Sequence, residues 1–200
     1  VPLGAQACLA QPSISASRMN MSMAGGAATG ARSYGARIGS GFGPSFGGVS
    51  LSRPRSDGSW ATSYAVDAGR TLPRNPFKTV AICPVVQLWY QDGPSVPFGT
   101  APIRYQRRGA FVGLAFGDSA TTRGVSVTPF YEAGLMQLWT TRTRRAVVLN
   151  ERVTAASASG GAAFRFGERL VVAPEFIIPM GLPGANPYVS LRLSAGFPGR

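Results

Sequence analysis

Pro187-Tyr188-Val189-Ser190-Leu191-Arg192-Leu193-Ser194-Ala195-Gly196-Phe197 sets Val189, Leu191, Leu193, Ala195 and Phe197 in strict alternation with Ser190, Arg192, Ser194 and Gly196. A period of two, with one apolar and one polar face, describes a strand whose two sides meet unlike surroundings. Ending on an aromatic residue, it reads as a strand with lipid on one face and a wet lumen on the other. The same alternation recurs along nearly the whole chain, so the argument extends from one strand to a closed barrel.

Composition agrees. The chain has 200 residues, 26 Gly and 16 Pro, with 44% hydrophobic but only 14% charged residues. Ordinary soluble domains carry about a quarter charged residues. No run approaches the roughly 18 apolar residues that a spanning helix needs. Lipid offers the backbone no hydrogen bonds, so a chain that spans without such helices must close into a barrel. The competing reading is a secreted β-sandwich, in which the aromatics would be core residues.

Turn chemistry divides the chain into ten segments: 13–23, 33–42, 46–53, 60–69, 77–90, 103–117, 125–139, 153–166, 169–180 and 188–197. Each is near the 9–11 residues of a tilted spanning strand. The expectation is an all-β, antiparallel up-and-down transmembrane barrel of ten strands, or eight if two weak early strands merge. An even count returns both ends to the periplasmic side. The short turns at Gly43-Pro44-Ser45 and Gly167-Glu168 then fall on that side, where such barrels keep their tight connections. Residues 13–197 form the barrel and 198–200 a short extension. Ala5-Gln6-Ala7 fits a small-x-small cleavage site, making residues 1–7 the end of a signal peptide and 8–12 a periplasmic segment. Cys8 after that site raises lipidation, which the flanking Ala5 and Gln6 disfavour.

Alternation also assigns faces. Cys83, Val85, Gln87, Trp89, Phe130, Val171 and Ala173 point inward, while Val86, Leu88, Tyr131, Leu135, Phe176 and Ile178 face lipid. Aromatics near strand ends, namely Phe42, Phe46, Trp60, Tyr90, Phe116, Trp139, Phe166, Tyr188 and Phe197, are expected to form interfacial girdles. Seven charged residues fall on inward positions: Arg18, Arg37, Asp67, Glu132, Arg165, Glu175 and Arg192. Unpaired charge in a narrow lumen is costly, so they are expected to form a neutralising network, with Glu175 near Arg192. The alternative is a charged constriction that selects ions.

The net charge of +12 comes from 20 basic and 8 acidic residues, and the basic ones are nearly all Arg. Arg53, Arg55, Arg104, Arg107, Arg108, Arg142, Arg144, Arg145 and Arg152 fall at the outer rim. Arginine pairs well with phosphate, and the nearest phosphates would be those of lipopolysaccharide. A merely solvated rim is the bland alternative. Nucleic acid is disfavoured, because the aromatics alternate between faces and build no stacking platform. Cys8 and Cys83 are an even pair suited to one disulfide in an oxidising compartment. They do not make a metal site. The chain has no His and one Lys, Lys78, which disfavours the usual general-base schemes and hence an enzyme. No cofactor is expected. Gly39-Ser40-Gly41 and Gly47-Gly48 suit strand packing better than a phosphate cradle, since no helix follows.

Ala7-Cys8-Leu9-Ala10-Gln11-Pro12-Ser13, Tyr34-Gly35-Ala36, Ile82-Cys83-Pro84-Val85-Val86 and the closing Tyr188 to Phe197 strand together resemble the small outer-membrane β-barrel proteins of Gram-negative bacteria, the porin-like and OmpA-like group. The resemblance implies an outer-membrane location, contact with outer-membrane lipids and lipopolysaccharide, and a monomer. It also implies a C-terminal signal, carried by Tyr188 and Phe197, that the barrel assembly machinery reads. Pro198-Gly199-Arg200 departs from the usual aromatic terminus. Two functions follow as expectations: a non-enzymatic barrel with a narrow, salt-bridged lumen and an envelope-structural or surface-interaction role, or a small porin-like channel for ions or solutes.

Overall fold

The computed structural model describes residues 19–42, 44–56, 58–72, 80–96, 101–117, 120–122, 125–167, 170–182 and 185–197. All regular structure among them is strand: β1 (Met19–Ala28), β2 (Ala31–Phe42), β3 (Ser45–Ser56), β4 (Ser59–Trp60), β5 (Thr62–Arg70), β6 (Ala81–Val96), β7 (Ile103–Gly117), β8 (Ala120–Thr122), β9 (Val125–Arg144), β10 (Val147–Phe166), β11 (Leu170–Met180) and β12 (Tyr188–Phe197). β4 and β5 are two parts of one wall strand, both paired to β3, and β8 continues the wall of β7 against β9. Ten antiparallel wall strands result, and pairing of β1 with β12 completes the ring.

The register gives the barrel its size. One lateral row of outward residues runs Arg152, Trp139, Arg108, Tyr90, Tyr64, Leu51, Ala36, Met23, Leu193, Val172 and back to β10 at Phe164. The return is displaced by the twelve residues from Arg152 to Phe164, which is the shear of this ten-strand ring. Such a stagger tilts the strands, typically by roughly 35–45°, and leaves an interior that side chains can largely fill.

The two faces separate as alternation requires. Met19, Met21, Met23, Ile38, Val49, Leu51, Val66, Leu88, Val112, Leu135, Leu191 and Leu193 are exposed on the outside. Phe46, Cys83, Val85, Phe111, Ala115, Phe130, Met136, Val171 and Ala173 pack together inside. An exposed apolar exterior around a partly polar interior inverts the order of a soluble protein, as lipid demands.

Several boundaries differ from the sequence reading. The first strand, expected over 13–23, is described from Met19 and runs on to Ala28, ending at a turn where Gly30 has φ 72°; residues 13–18 lie outside the described residues. The fifth expected strand, 77–90, begins at Ala81 and continues to Val96 through an irregularity between Asp92 and Ser95. Residues 140–152, read as a loop and its flank, instead extend β9 and β10 into a long hairpin that turns at Arg144–Val147. There Arg145 takes φ 51°. Side chains on both faces of that extension are polar or exposed, which erases the alternation although backbone pairing continues.

Candidate functional site: the barrel lumen and its outer rim

The lumen is organised by one side chain crossing a strand. Asn20, Gly39, Gly48 and Asp67 occupy a single lateral row of β1, β2, β3 and β5. Arg37, one inward step along β2, reaches back over this row. Its Nε donates to Asp67 Oδ1 at 2.8 Å, its Nη2 to Asp67 Oδ2 at 2.6 Å, and its Nη1 to Asn20 Oδ1 at 3.2 Å. A Cβ on Gly39 or Gly48 would collide with the guanidinium. These glycines therefore leave room for Arg37, a more specific role than the general strand packing expected of them. The pair is bidentate and nearly dry, with side chains 4% and 2% exposed. That geometry offsets more of the cost of desolvation than a single contact would.

Around the ring, Asp67 is followed in the same row by Gln87, Phe111 and Met136. Phe111 lies over Gly113 and Gly134, Phe130 over Gly161, Trp89 over Gly109 and Phe46 over Gly69. Each large ring thus occupies the space that a neighbouring strand leaves by carrying no side chain. Glu132, Glu175 and Arg192 are also buried inward. Glu132 is opposite Ser159, and Glu175 is opposite Ser190, whose Oγ donates to its Oε2 at 3.3 Å. Arg192, opposite Ala173, is one register step from Glu175 and within electrostatic reach of Glu175, Arg37, Asp67 and Glu132. A cavity of about 10 Å³ is bounded by Phe111, Glu132, Ser157, Ser159, Glu175 and Ile177.

Of the other expected lumen charges, Arg165 is half-buried where β10 pairs with Val171 and Ser126, and Arg18 lies outside the described residues. Cys83 is wholly buried on the inner face, with Thr71 Oγ1 3.9 Å from its sulfur; its proposed partner Cys8 lies outside the described residues, as do residues 1–7, expected to end a signal peptide, and 198–200. Two girdle assignments are corrected. Phe46, 4% exposed, and Tyr188, 8% exposed, both point inward. Strand parity governs their direction, and the Tyr188 hydroxyl meets Ser33 Oγ across the lumen wall. Trp60, Trp139, Phe166 and Phe197 are exposed on the outside. Gln87 is buried inward as expected, and Asn20, buried in the same lateral row as Asp67, is a lumen residue the sequence reading does not name although alternation points to it.

The basic rim divides between faces. Arg107 and Arg142 approach the Tyr105 ring at 6.0 and 5.7 Å from the inner side of the long strands, and Arg142 Nη2 pairs with Glu151 at 2.7 Å. Arg108 and Arg152 flank Trp139 on the outward face. Arg104 is exposed on β7, and Arg144 and Arg145 sit at the hairpin tip. Arg53 and Arg55 lie outward on β3, 5.8 and 5.5 Å from the Trp60 ring.

A closed antiparallel barrel, apolar outside and charged within, has the architecture of a transmembrane β-barrel. Its fold is similar to the β domain of the Bordetella autotransporter BrkA, at 12% identity and TM-score 0.54, covering 90% of this chain and 98% of that one. The N-terminal barrel domain of Pseudomonas aeruginosa OprF matches at 16% identity and TM-score 0.43 over 90% and 96%. Ail of Yersinia pestis matches at 11% identity and TM-score 0.40 over 90% and 97%. No family model and no curated protein sequence matches the chain.

Proposed function

We propose that the protein spans the outer membrane as a sealed, non-enzymatic barrel with an envelope-structural or surface-interaction role. The observation that carries this reading is the filling of the lumen. Phe46, Trp89, Phe111 and Phe130 occupy the interior beside the Arg37–Asp67 pair, and the cavity among Phe111, Glu132 and Glu175 is about 10 Å³. A space of that size is about the least that admits one water, not a hydrated ion. The absence of His from the sequence supports a non-enzymatic role, because most barrel chemistry by general base would call on one. What the protein offers the exterior is its long β9–β10 hairpin, with Arg142, Arg144 and Arg145 near its tip. The final strand, ending in exposed Phe197, is the segment proposed to engage the barrel assembly machinery.

Liposome swelling with the refolded barrel tests the sealed lumen. Vesicles carrying it should swell in small sugars no faster than empty vesicles. Swelling that scales inversely with solute size would instead establish the porin-like channel.

A further inference from the structure

The outer end of β10 is an unpaired strand edge. β10 pairs with β9 from Val147↔Arg144 to Phe166↔Val125, but with β11 only from Ala156↔Met180 inward. Among the described residues no strand or loop backbone pairs with the other side of Val147–Thr154. The connection after β11 leans the opposite way, since Asn186 Nδ2 donates to Thr29 O at 3.5 Å. Arg152 stands opposite Trp139 of the outer aromatic girdle, so most of this edge rises beyond the lipid. Only there is an open edge tolerable, because lipid would leave its N–H and C=O groups unsatisfied.

Native sheets usually blunt such an edge with a proline, a bulge or an inward charge. The other flank of the same extension, β6, does so with Pro94 and a bulge between Asp92 and Ser95. The outer end of β10 has neither, and its register with β9 runs unbroken. Its polar side chains are fastened back to β9: Asn150 to Thr141, Glu151 to Arg142, and Arg152 and Thr154 to Gln137. The edge is therefore held in place with its open side clear. Val147, Val148 and Leu149 at its end are 61%, 54% and 57% exposed. The two-residue turn makes Arg144 and Val147 a hydrogen-bonded pair, so by alternation Val148, Asn150, Arg152 and Thr154 turn their backbone N–H and C=O to the open side.

We infer that this edge is a docking site for an extended, acidic segment of another protein, which adds a strand beside β10. Backbone pairing supplies the affinity of such an addition, and alternate side chains its specificity. Because the hairpin is already fastened, the ordering cost of binding falls on the incoming segment alone. The sign of the partner follows from charge. Residues 140–155 carry Arg142, Arg144, Arg145 and Arg152 against one carboxylate, Glu151. A second copy of this chain would bring the same positive excess to the seam, where like charges repel.

The inference rests on the surface-interaction reading above, and its test separates the two. Full-length barrel, verified by heat-modifiable mobility, is titrated with a fluorescent peptide alternating Val with Glu and with its Val–Lys counterpart. Val–Glu peptides N-methylated at alternate residues, or at every residue, complete the series, and binding is read by anisotropy. The Val–Glu peptide should bind. At least one alternately methylated form should bind comparably, because a strand pairs through one edge, whereas full methylation should weaken binding at least tenfold. V148P/N150P, which removes two donors on the open side and spares the bonds to β9, should weaken it as much; if that variant does not fold, the methylation series decides alone. Equal binding of the fully methylated peptide would overturn strand addition and leave the hairpin an interaction surface of another kind. Equal binding of the Val–Lys peptide would overturn the acidic partner, and no binding by any peptide would overturn the site. A dimer of the parent that V148P/N150P abolishes would assign the edge to a second copy and overturn the proposal.

Discussion

Arg37 crosses β3 over Gly48, whose missing side chain is the space the guanidinium occupies on its way to Asp67. One residue supplies charge and the other supplies room, and neither is intelligible alone. The pair shows how charge is held inside the barrel: Arg37 and Asp67 are anchored laterally to the wall and hydrogen-bonded there.

Breaking that anchor should be costly. Arg37→Ala leaves the Asp67 carboxylate buried without its partner, and removing one member of a buried pair typically costs about 3–5 kcal/mol. Urea unfolding of the refolded barrel, followed by tryptophan fluorescence, should show a loss of that size. Replacing both, as in Arg37→Met with Asp67→Leu, should cost less than either single change, because no charge is then stranded.

Gly48 and Gly47 give a paired comparison within one strand. Gly48→Ala drives a methyl group into the Arg37 head and should destabilise by about 1–3 kcal/mol, as overpacking does. A Cβ on Gly47, on the opposite parity, approaches the Asp67 carbonyl oxygen at 3.3 Å, and Gly47→Ala should cost clearly less. Equal costs for the two would mean that strand propensity, not the guanidinium, explains the glycines.

The exposed pair Arg142–Glu151 should behave oppositely to Arg37–Asp67. Its side chains are 42% and 48% exposed, so solvent screens the attraction. Glu151→Gln should change unfolding stability by no more than about 0.5 kcal/mol, within the range of surface pairs. A larger loss would show that the long hairpin is part of the cooperative unit.

Cys8 and Cys83 are proposed to be bonded, tying the N-terminal segment to the inner face of β6. Intact-mass measurement before and after reduction should show the gain of two hydrogens, and iodoacetamide should label neither thiol without reductant. Two labelled cysteines in the unreduced protein would contradict the bond.

Much of this architecture is legible in the sequence because a barrel wall repeats one physical constraint. Val189 to Phe197 and Leu170 to Ile178 alternate cleanly, since lipid rejects polarity on one face and the lumen tolerates it on the other. That constraint sets strand count, parity and the inward placement of Asp67, Glu132, Glu175 and Arg192. It fails where both faces meet water: through residues 141–152 side chains that are polar or exposed point both ways, and the extended hairpin leaves no periodic trace. It also fails where residue type was allowed to outweigh parity. Phe46 and Tyr188 look like interfacial aromatics, but they stand on inward positions and fill space over Gly69 and Gly26. The reach of Arg37 across β3 is a property of side-chain length and cross-strand register, which no local pattern contains.

The central claim is that aromatic rings and the anchored ions close the lumen. Single-channel recording of the heat-modifiability-verified barrel in a planar lipid bilayer tests it most directly, with Phe111→Ala/Phe130→Ala alongside. The account predicts no discrete steps from the parent protein and steps from the double variant, in which the rings above Gly134 and Gly161 are gone. Reproducible steps from the parent would contradict it and make the barrel a channel.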